Sequence, residues 1–181
     1  MSLSSNDIEQ IENFKKCLGL DNKIGTNYSG TSTKKGFRIQ FSDILFYKFL
    51  EKIGLSAHKS LTIGSVLVPR KYYFDFLRGH FDGDGTFFSY WDKRWKSSYM
   101  FYLCFYSASK NHINWLRSRN ARYLGIKGHI CKSKNDSTYS LRYAKGESLI
   151  LLKHMYRNKN PRLSRKYLKI KKALAILGKS F

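Results

Sequence analysis

Two aspartates alternate with glycines in the run Phe76-Leu-Arg-Gly-His-Phe-Asp-Gly-Asp-Gly85, and they are the best candidates in the chain for catalytic chemistry. The sequence offers no nucleophilic triad, no phosphate-cradling glycine loop and no histidine or cysteine pair at metal-ligand spacing. An EF-hand calcium loop is excluded, because counting from Asp82 gives Thr86 at the fifth position and Lys93 at the twelfth. A plain turn between a helix and a strand is the alternative interpretation.

The residues around these acids form a helical pattern. Pro69 suits the first helical position, and apolar residues then recur at three- and four-residue steps, at Tyr72, Tyr73, Phe76, Leu77 and Phe81. Gly79 and Gly83 lie four residues apart on one face, although a glycine in a helix interior costs roughly 1 kcal/mol relative to alanine. Close contact with a second helix is the usual compensation. The pattern therefore predicts a short helix that touches another helix closely and carries an acid at that contact.

The nine residues from Leu77 to Gly85 strongly resemble the signature of the LAGLIDADG homing endonucleases. Five of the nine are identical to the family letters, namely Leu77, Gly79, Asp82, Asp84 and Gly85. His80 departs from the apolar residue that is usual at its position. The approach to the motif, Leu55-Ser-Ala-His-Lys-Ser60 followed by Val68-Pro69, is similar to bacterial and intein-type members, and no splicing residues flank the region.

The resemblance implies a role for each of these residues. In that family two motif helices pack together, and the second acid of each binds a divalent metal beside a scissile DNA phosphate. It follows that Asp84, together with Gly83, would bind Mg²⁺ or another divalent cation. The structural residues of the motif would be Gly79, Asp82, Gly83 and Gly85.

The same resemblance implies two further catalytic residues beside Asp84. Lys145 ends a predicted strand, where members of the family often place a basic residue that stabilises charge on phosphate. A lysine at a strand end is otherwise simply solvated. Ser109 lies where the family often has a polar residue that orders active-site water.

An internal repeat organises the rest of the chain. Leu18-Gly-Leu20 is similar to Leu124-Gly-Ile126, and similar predicted elements surround both segments. The first half reads as helix 7–18, strands 23–28 and 37–41, and helix 42–53. After the motif, the pattern predicts strands 86–91 and 99–107, helix 111–124, strands 129–132 and 139–143, and helix 146–156.

These elements predict an α+β fold. The resemblance implies a LAGLIDADG αββαββα unit with an antiparallel, saddle-shaped sheet, complete over residues 67–181. Residues 1–66 would form an N-terminally incomplete repeat without its motif helix and first hairpin. The opening Met-Ser-Leu-Ser is interpreted either as a cloning leader on a truncated product or as a genuine start. Because one motif gives half of a site, we expect self-association through the motif helix or a partner that supplies a second motif.

Composition favours a polyanionic partner. The chain has 34 Lys and Arg against 12 Asp and Glu, a net charge of +22, and no acid from Ser148 to Phe181. Such a charge repels itself in a compact fold unless a polyanion neutralises it, and nucleic acid is the commonest one. No stretch of about 18 apolar residues and no signal peptide is present. We expect no membrane partner and an intracellular location, in cytoplasm or nucleoid, or in an organelle matrix if the gene is organellar.

Double-stranded DNA is the expected partner. In 86–109 the alternation predicts Tyr, Trp, Lys and Arg on one sheet face and Phe, Leu and Cys on the other, although the strict period falters near Tyr99 to Tyr106. A basic C-terminal helix, with Leu163, Tyr167, Ile170 and Leu174 at helical spacing, would contact flanking backbone. The predicted DNA-binding residues are Tyr90, Lys93, Arg94, Lys96, Tyr106, Lys132, Lys134, Arg142, Arg162, Arg165 and Lys166.

The sequence thus predicts a homing-type, site-specific double-stranded DNA endonuclease that hydrolyses phosphodiesters with a metal, as in intron homing. An alternative is a catalytically inactive or truncated relative that acts as a DNA- or RNA-binding module. A basic ribosome-associated protein is a third reading, but it leaves the motif helix unexplained. Dependence of cleavage on Mg²⁺ separates the first reading from the other two.

Overall fold

Helices and strands follow one another in an order that nearly repeats. The computed structural model describes residues 1–28, 35–134 and 137–180. Its first part holds β1 (Ser2–Ser5), α1 (Ile8–Leu18), β2 (Gly25–Tyr28), β3 (Lys35–Gln40) and α2 (Ile44–Lys52). Its second part holds α3 (Tyr73–Asp84), β4 (Thr86–Trp91), β5 (Tyr99–Ser107), α4 (Lys110–Leu124), β6 (His129–Lys132), β7 (Tyr139–Ala144), α5 (Lys145–Met155) and α6 (Ser164–Ile176).

Two antiparallel sheets result. The second part forms a four-stranded sheet in the order β4-β5-β7-β6, and the first forms a three-stranded sheet in the order β1-β3-β2. The predicted α+β class and the αββαββα order are confirmed, and three predicted strands have the observed bounds. β3 and β7 are both central and have the same neighbours in the repeat, so the two sheets share one topology.

The opening residues are part of the fold, which corrects the expectation that the whole first hairpin is missing. Ser2–Ser5 pairs antiparallel with β3, from Ser2 opposite Gln40 to Ser5 opposite Phe37. β1 precedes α1 and lies beside β3, just as β5 precedes α4 and lies beside β7. The first repeat therefore contains the second strand of its hairpin. β1 has only four residues, three serines and one leucine, and this is too short an alternation to predict a strand from the sequence.

Polar side chains fix where several helices begin. The carboxylates of Asp7 and Asp43 accept hydrogen bonds from backbone N–H groups in the first turns of α1 and α2, and the Ser109 hydroxyl does the same for α4. Pro69 precedes a 3-10 turn over Arg70–Tyr72, so α3 begins later than predicted, at Tyr73.

The main hydrophobic core lies between the four-stranded sheet and the helices of the second part. α3 contributes Tyr73, Leu77 and Phe81, each at most 1% exposed. They pack with alternate residues of the strands and with apolar residues of α4, α5 and α6, chiefly Phe101, Leu103, Phe105, Ile113, Leu116, Leu141, Tyr143, Leu151, Leu152 and Ile170. The predicted C-terminal helix is confirmed, since Leu163, Ile170 and Leu174 are buried.

Within the core, a buried amide joins three elements. The Tyr73 hydroxyl donates to Asn120 Oδ1 at 2.9 Å, and Asn120 Nδ2 donates to the Tyr143 hydroxyl at 2.9 Å. Asn120 is fully buried, and burial raises the pKa of both tyrosines. Both hydroxyls and both polar atoms of the amide are hydrogen-bonded within this relay, which therefore fixes α3, α4 and β7 relative to one another.

None of the described helices is long and apolar enough to cross a membrane.

We predict that Asn120→Ala destabilises the protein by about 2–4 kcal/mol, because it leaves two buried hydroxyls without their partner at roughly 1–3 kcal/mol each. The measurement is the free energy of unfolding from urea titration. Arg122→Ala, an exposed position on the same helix, is the control and should change that free energy by less than about 0.5 kcal/mol. Equal effects of the two substitutions would show that the relay does not stabilise the fold.

Candidate functional site

The two acids of the motif occupy different environments at the end of α3. Gly85 ends the helix, and its N–H donates to the Phe81 carbonyl. A Cβ on Gly85 would lie 2.7 Å from both the Phe81 Cα and its carbonyl oxygen, so only glycine fits this close turn. The turn leaves Asp84 exposed and Asp82 buried.

Asp82 links the end of α3 to the start of α6. Its Oδ2 accepts a hydrogen bond from the Leu163 N–H at 3.1 Å. Burial raises the pKa of this carboxyl to about 6, although the Leu163 bond and the nearby Lys166 act in the opposite direction. Asp82 thus belongs to the packing between helices, whereas Asp84 faces solvent.

Lys166 is a second link, and it corrects the prediction that this lysine contacts DNA. The side chain is buried, and Nζ donates to the carbonyl oxygens of Phe81, Asp82 and Gly85 at 2.6, 2.8 and 2.7 Å. These carbonyls lie at the negative end of the α3 dipole, where a cation is favourable. The sequence of the basic C-terminal region does not distinguish Lys166 from the neighbouring lysines that stay exposed.

Lys145 does not lie beside Asp84, which corrects its assignment to the same catalytic centre. Its Nζ donates to the carbonyl of Tyr99, at the start of β5. Asp84 instead precedes Thr86, which pairs with Cys104. Five residues of an extended strand separate Tyr99 from Cys104, or about 17 Å at the usual rise. The strand end at which the sequence predicted a catalytic lysine therefore lies far along the sheet from Asp84.

Ser109 has a structural partner on each side, which corrects its assignment as a water-ordering residue. Its hydroxyl donates to the Ile63 carbonyl at 2.5 Å and accepts from the His112 N–H at 3.4 Å. The residue is only 2% exposed. The hydroxyl therefore begins α4 and fastens the segment before α3 to it.

The glycine face of α3 is open. A Cβ at Gly79 would meet no atom within 4 Å, and one at Gly83 would meet only the Gln10 Nε2 at 3.6 Å. Grooves of about 570 and 380 Å³ border Gly79 on either side, and Phe76, His80 and Asp84 line the larger one. Nothing in the described chain makes the close contact that the two glycines predict.

His80 lies at the edge of this face, packed against other rings. Its imidazole stacks on that of His112 with centroids 5.3 Å apart, and His112 stacks in turn on Trp115. Burial, and then the neighbouring His112, lowers the pKa of His80 to about 4. At neutral pH the ring is therefore an uncharged, mostly apolar group, which reconciles a histidine with a position where an apolar residue was expected.

The sheet presents a second candidate surface on the face opposite the helices. The strand register places aromatic, basic and small side chains there, namely Thr86, Phe88, Tyr90, Tyr102, Cys104, Tyr106, His129, Cys131, Ser140 and Arg142. We call this set the open sheet face. The prediction for Phe88 and Cys104 was the apolar side, but the register places both on the open sheet face, where Cys104 is nevertheless fully buried.

The open sheet face carries aromatic residues and a local depression. A depression of about 590 Å³ is lined by Tyr90, Tyr102, His129 and Arg142, among others. The Phe88 and Tyr102 rings stack at 5.2 Å. Aromatic rings and arginine are the groups that contact bases and phosphates in nucleic-acid interfaces.

The remaining predicted DNA contacts fall into two groups. Lys93, Arg94 and Lys96 are exposed between β4 and β5, and Lys132 and Lys134 are exposed at the end of β6. They extend the rim of the open sheet face. At the other side of the protein, the Arg162 guanidinium lies 3.9 Å from the Tyr167 ring centroid, and Arg165 pairs with Asp7 at 2.6 Å. The structure therefore does not bring these last two arginines to the sheet.

A complete metal cluster is not formed within the described residues, where no three His, Cys, Asp or Glu side chains come together. Asp84 nonetheless suits a cation. Its carboxylate is exposed, and no described side chain forms an ion pair or hydrogen bond with it. Mg²⁺ usually takes one or two carboxylates and fills its other positions with water and phosphate oxygens. Asp84 therefore fits half of such a donor set.

Comparisons with known proteins place this architecture. No family model and no curated protein matches the sequence. Solved structures do match, including the LAGLIDADG meganuclease I-AabMI bound to uncleaved DNA, with a TM-score of 0.60, 14% identity, and coverage of 97% of this chain and 79% of that one. This chain has the LAGLIDADG-like fold.

Two further structures of the LAGLIDADG-like fold are similar to the chain. I-DmoI in complex with DNA and Mn gives a TM-score of 0.52 at 16% identity, covering 86% of this chain and 78% of that one. The N-terminal LAGLIDADG domain of WhiA gives 0.54 at 13% identity, covering 95% and 75%. At such identities the likeness establishes the fold, and the signature Leu77–Gly85 falls on α3 as the resemblance implied.

We predict that Lys166→Met lowers the free energy of unfolding by about 2–4 kcal/mol, because three helix-end carbonyls lose a charged donor. Urea denaturation measures the change. The exposed Lys169→Met should cost less than about 0.5 kcal/mol and carries the same change of charge. A destabilisation no larger than that of Lys169→Met would show that the buried contacts of Lys166 do not stabilise the fold, as expected of a lysine that contacts DNA.

We also predict a dependence on pH from His80. Its pKa falls on folding from 6.5 to about 4, so the unfolded chain binds the proton first and stability is lost as pH falls through this window. Relative to His80→Leu, the wild-type protein should lose about 1–2 kcal/mol more between pH 7 and pH 5. Urea titrations at both pH values measure it. His129→Gln, on the exposed strand β6, should keep the wild-type slope; the same slope in His80→Leu would contradict the prediction.

Proposed function

We propose that this protein is a metal-dependent endonuclease that cuts double-stranded DNA at a specific site, with the duplex on the open sheet face. The observation that supports this proposal most strongly is the position of Asp84 at the end of α3. Its exposed carboxylate lies between the open glycine face and Thr86, the first residue of the open sheet face. Asp84 precedes Thr86 by two residues, so a DNA backbone lying on the open sheet face near Thr86 would pass close to the carboxylate.

The open sheet face supports DNA as the substrate. Arg142, Tyr90 and Tyr102 offer a cation and aromatic rings along one surface, and the exposed lysines and Arg94 at its rim add phosphate contacts. With a net charge of +22, most of the affinity would come from phosphate neutralisation and would fall steeply with salt. Two of the similar structures are complexes with DNA.

Asp84, with the Gly83 backbone, would hold Mg²⁺ or a similar cation. Such an ion supplies an activated water and neutralises charge on the phosphate. The protein's own contribution is to hold the acid in place: Gly85 ends the helix tightly, and Lys166 fixes the carbonyls on both sides of Asp84. Exposure keeps the carboxylate available. I-DmoI, of the same fold, was crystallised with Mn and DNA.

A second motif helix would complete the site. The open face around Gly79 and Gly83 admits close approach of another helix, and a second acid would then join Asp84. A second copy of this chain offers that helix, because its α3 presents the same face.

Exposed surfaces of the first repeat also support a partner that supplies a motif helix. In the second repeat, α5 buries Leu151 and Leu152 in the core beneath α3. In the first repeat, α2 has no buried residue, and Leu45 and Phe49 are 81% and 53% exposed. Among the described strands, one edge of β1 has no neighbour, and it corresponds to the edge of β5 that pairs with β4. A partner that supplied a helix and a strand would cover both surfaces.

A binding module without cleavage is the second candidate. The observation that favours it is that the described chain carries one motif acid, whereas two such acids are needed to cut two strands. Such a protein would bind duplex DNA through the same open sheet face. Added Mg²⁺ would then change its affinity only through ionic strength.

We predict that Asp84→Asn abolishes Mg²⁺-dependent cleavage and changes duplex affinity less than about threefold, because the carboxylate binds the metal and not the groove. A randomised duplex library, incubated with protein in Mg²⁺ or EDTA, yields bound and cut molecules for sequencing. Asp21→Asn, another exposed aspartate, is the matched control and should cut normally.

Three outcomes are distinct. Cutting by Asp84→Asn at the wild-type rate would contradict the assignment of the acid. Binding without cutting by the wild-type chain, at concentrations where light scattering shows a dimer, would establish the binding module. Absence of duplex binding by both the wild-type chain and Asp84→Asn would overturn the proposed DNA-binding function itself.

A further inference from the structure

A cavity of about 470 Å³ lies among the helix ends, away from the open sheet face. We call it the helix-end pocket. It is bordered by the residues just before α3, the last turn of α4, and the end of α5 with the residues after it. α3 is 12 residues long, or about 18 Å, so its first turn lies far from the carboxylate of Asp84. A duplex on the sheet face would not reach this pocket.

Three cations line the helix-end pocket without a neutralising acid. Arg70, Lys71 and Arg157 are exposed, and none of them forms an ion pair with a described carboxylate. The one acid of the lining, Asp75, is already matched, since it pairs with Arg78 at 2.9 Å and accepts from Asn160 at 2.7 Å. The pocket therefore keeps a surplus of positive charge.

Aromatic rings also line the helix-end pocket. The rings of Phe74 and His154 stack with centroids 4.8 Å apart, and the Arg70 guanidinium lies 5.3 Å from the Tyr123 ring centroid. Burial, and then Arg157 and Lys153, lowers the pKa of His154 from its usual value, which favours the uncharged ring. Flat rings beside unpaired cations are the combination that binds a base and its phosphate.

We propose that the helix-end pocket binds a nucleoside phosphate, either free or as one unit of a single strand. The base would stack on the aromatic surface of Phe74, His154 and Tyr123, and the phosphate would lie among Arg70, Lys71 and Arg157. The volume suits such a ligand, because small-molecule sites usually span roughly 300–1,000 Å³. This second site is independent of the proposed cleavage site and gives the positive charge of the helical side a partner.

The test uses the full chain and fluorescence anisotropy at 0.15 M salt. The probes are a labelled single-stranded RNA of about ten nucleotides, a labelled AMP and a labelled DNA duplex. Arg70→Ala/Arg157→Ala should weaken RNA or AMP binding by about tenfold or more, while Lys16→Ala/Lys48→Ala, with the same loss of charge on exposed positions of α1 and α2, should weaken it less than about twofold. Duplex binding should be equal in both variants.

The source of the ligand follows from which probe binds saturably, since AMP binding marks a free nucleotide and RNA binding without it marks a strand. Arg157→Ala alone tests the same point if the double variant unfolds, because Arg157 makes no described contact that holds the fold. Equal losses in the two double variants would overturn the proposal, as would displacement by inorganic phosphate at the same concentration as by AMP. A parallel loss of duplex binding in the pocket variant would show one continuous DNA surface in place of a second site.

Discussion

The structure depends on the division of α3 into a buried face and a bare one. Tyr73, Leu77 and Phe81 bury almost their entire side chains against the sheet and its neighbouring helices. On another face Gly79 has no neighbour within reach of a Cβ. The first face orients the helix, and the second leaves space for a backbone to approach. The end of the helix then determines which acid is exposed.

The two acids differ because their surroundings differ and not because of their type. Asp82 lies under the start of α6, where burial shifts its proton equilibrium toward the neutral form. Asp84 lies two residues later, about 200° further around the helix, and meets solvent. The helix ends at Gly85, directly after Asp84, so no further turn of α3 follows the exposed carboxylate.

Much of this could be read from the sequence, and the failures share one cause. Periodicity identified the strands Thr86–Trp91, Tyr99–Ser107 and His129–Lys132, and the motif identified α3. Roles that depend on distant partners were wrong. Lys166 looked like one more cation in a basic tail, but the carbonyls it binds are over 80 residues earlier.

The roles of Lys145 and Ser109 were predicted from their positions at strand ends. Lys145 lies at the end of the sheet away from Asp84, where it binds the Tyr99 carbonyl, and the Ser109 hydroxyl caps the helix that follows it. β1 was missed because pairing with β3, and not its own composition, makes it a strand. The helix-end pocket gave no signal at all, since its residues come from three separate helix ends.

The position of α6 along the chain has a consequence for the order in which the site forms. The carbonyls on either side of Asp84 are held by Lys166, and Asp82 is held by Leu163. A chain emerging from the ribosome folds its early segments first. The end of α3 would therefore reach its final arrangement only after α6 has been made and docked, so a nascent chain that stops before α6 lacks the contacts that hold the backbone around Asp84.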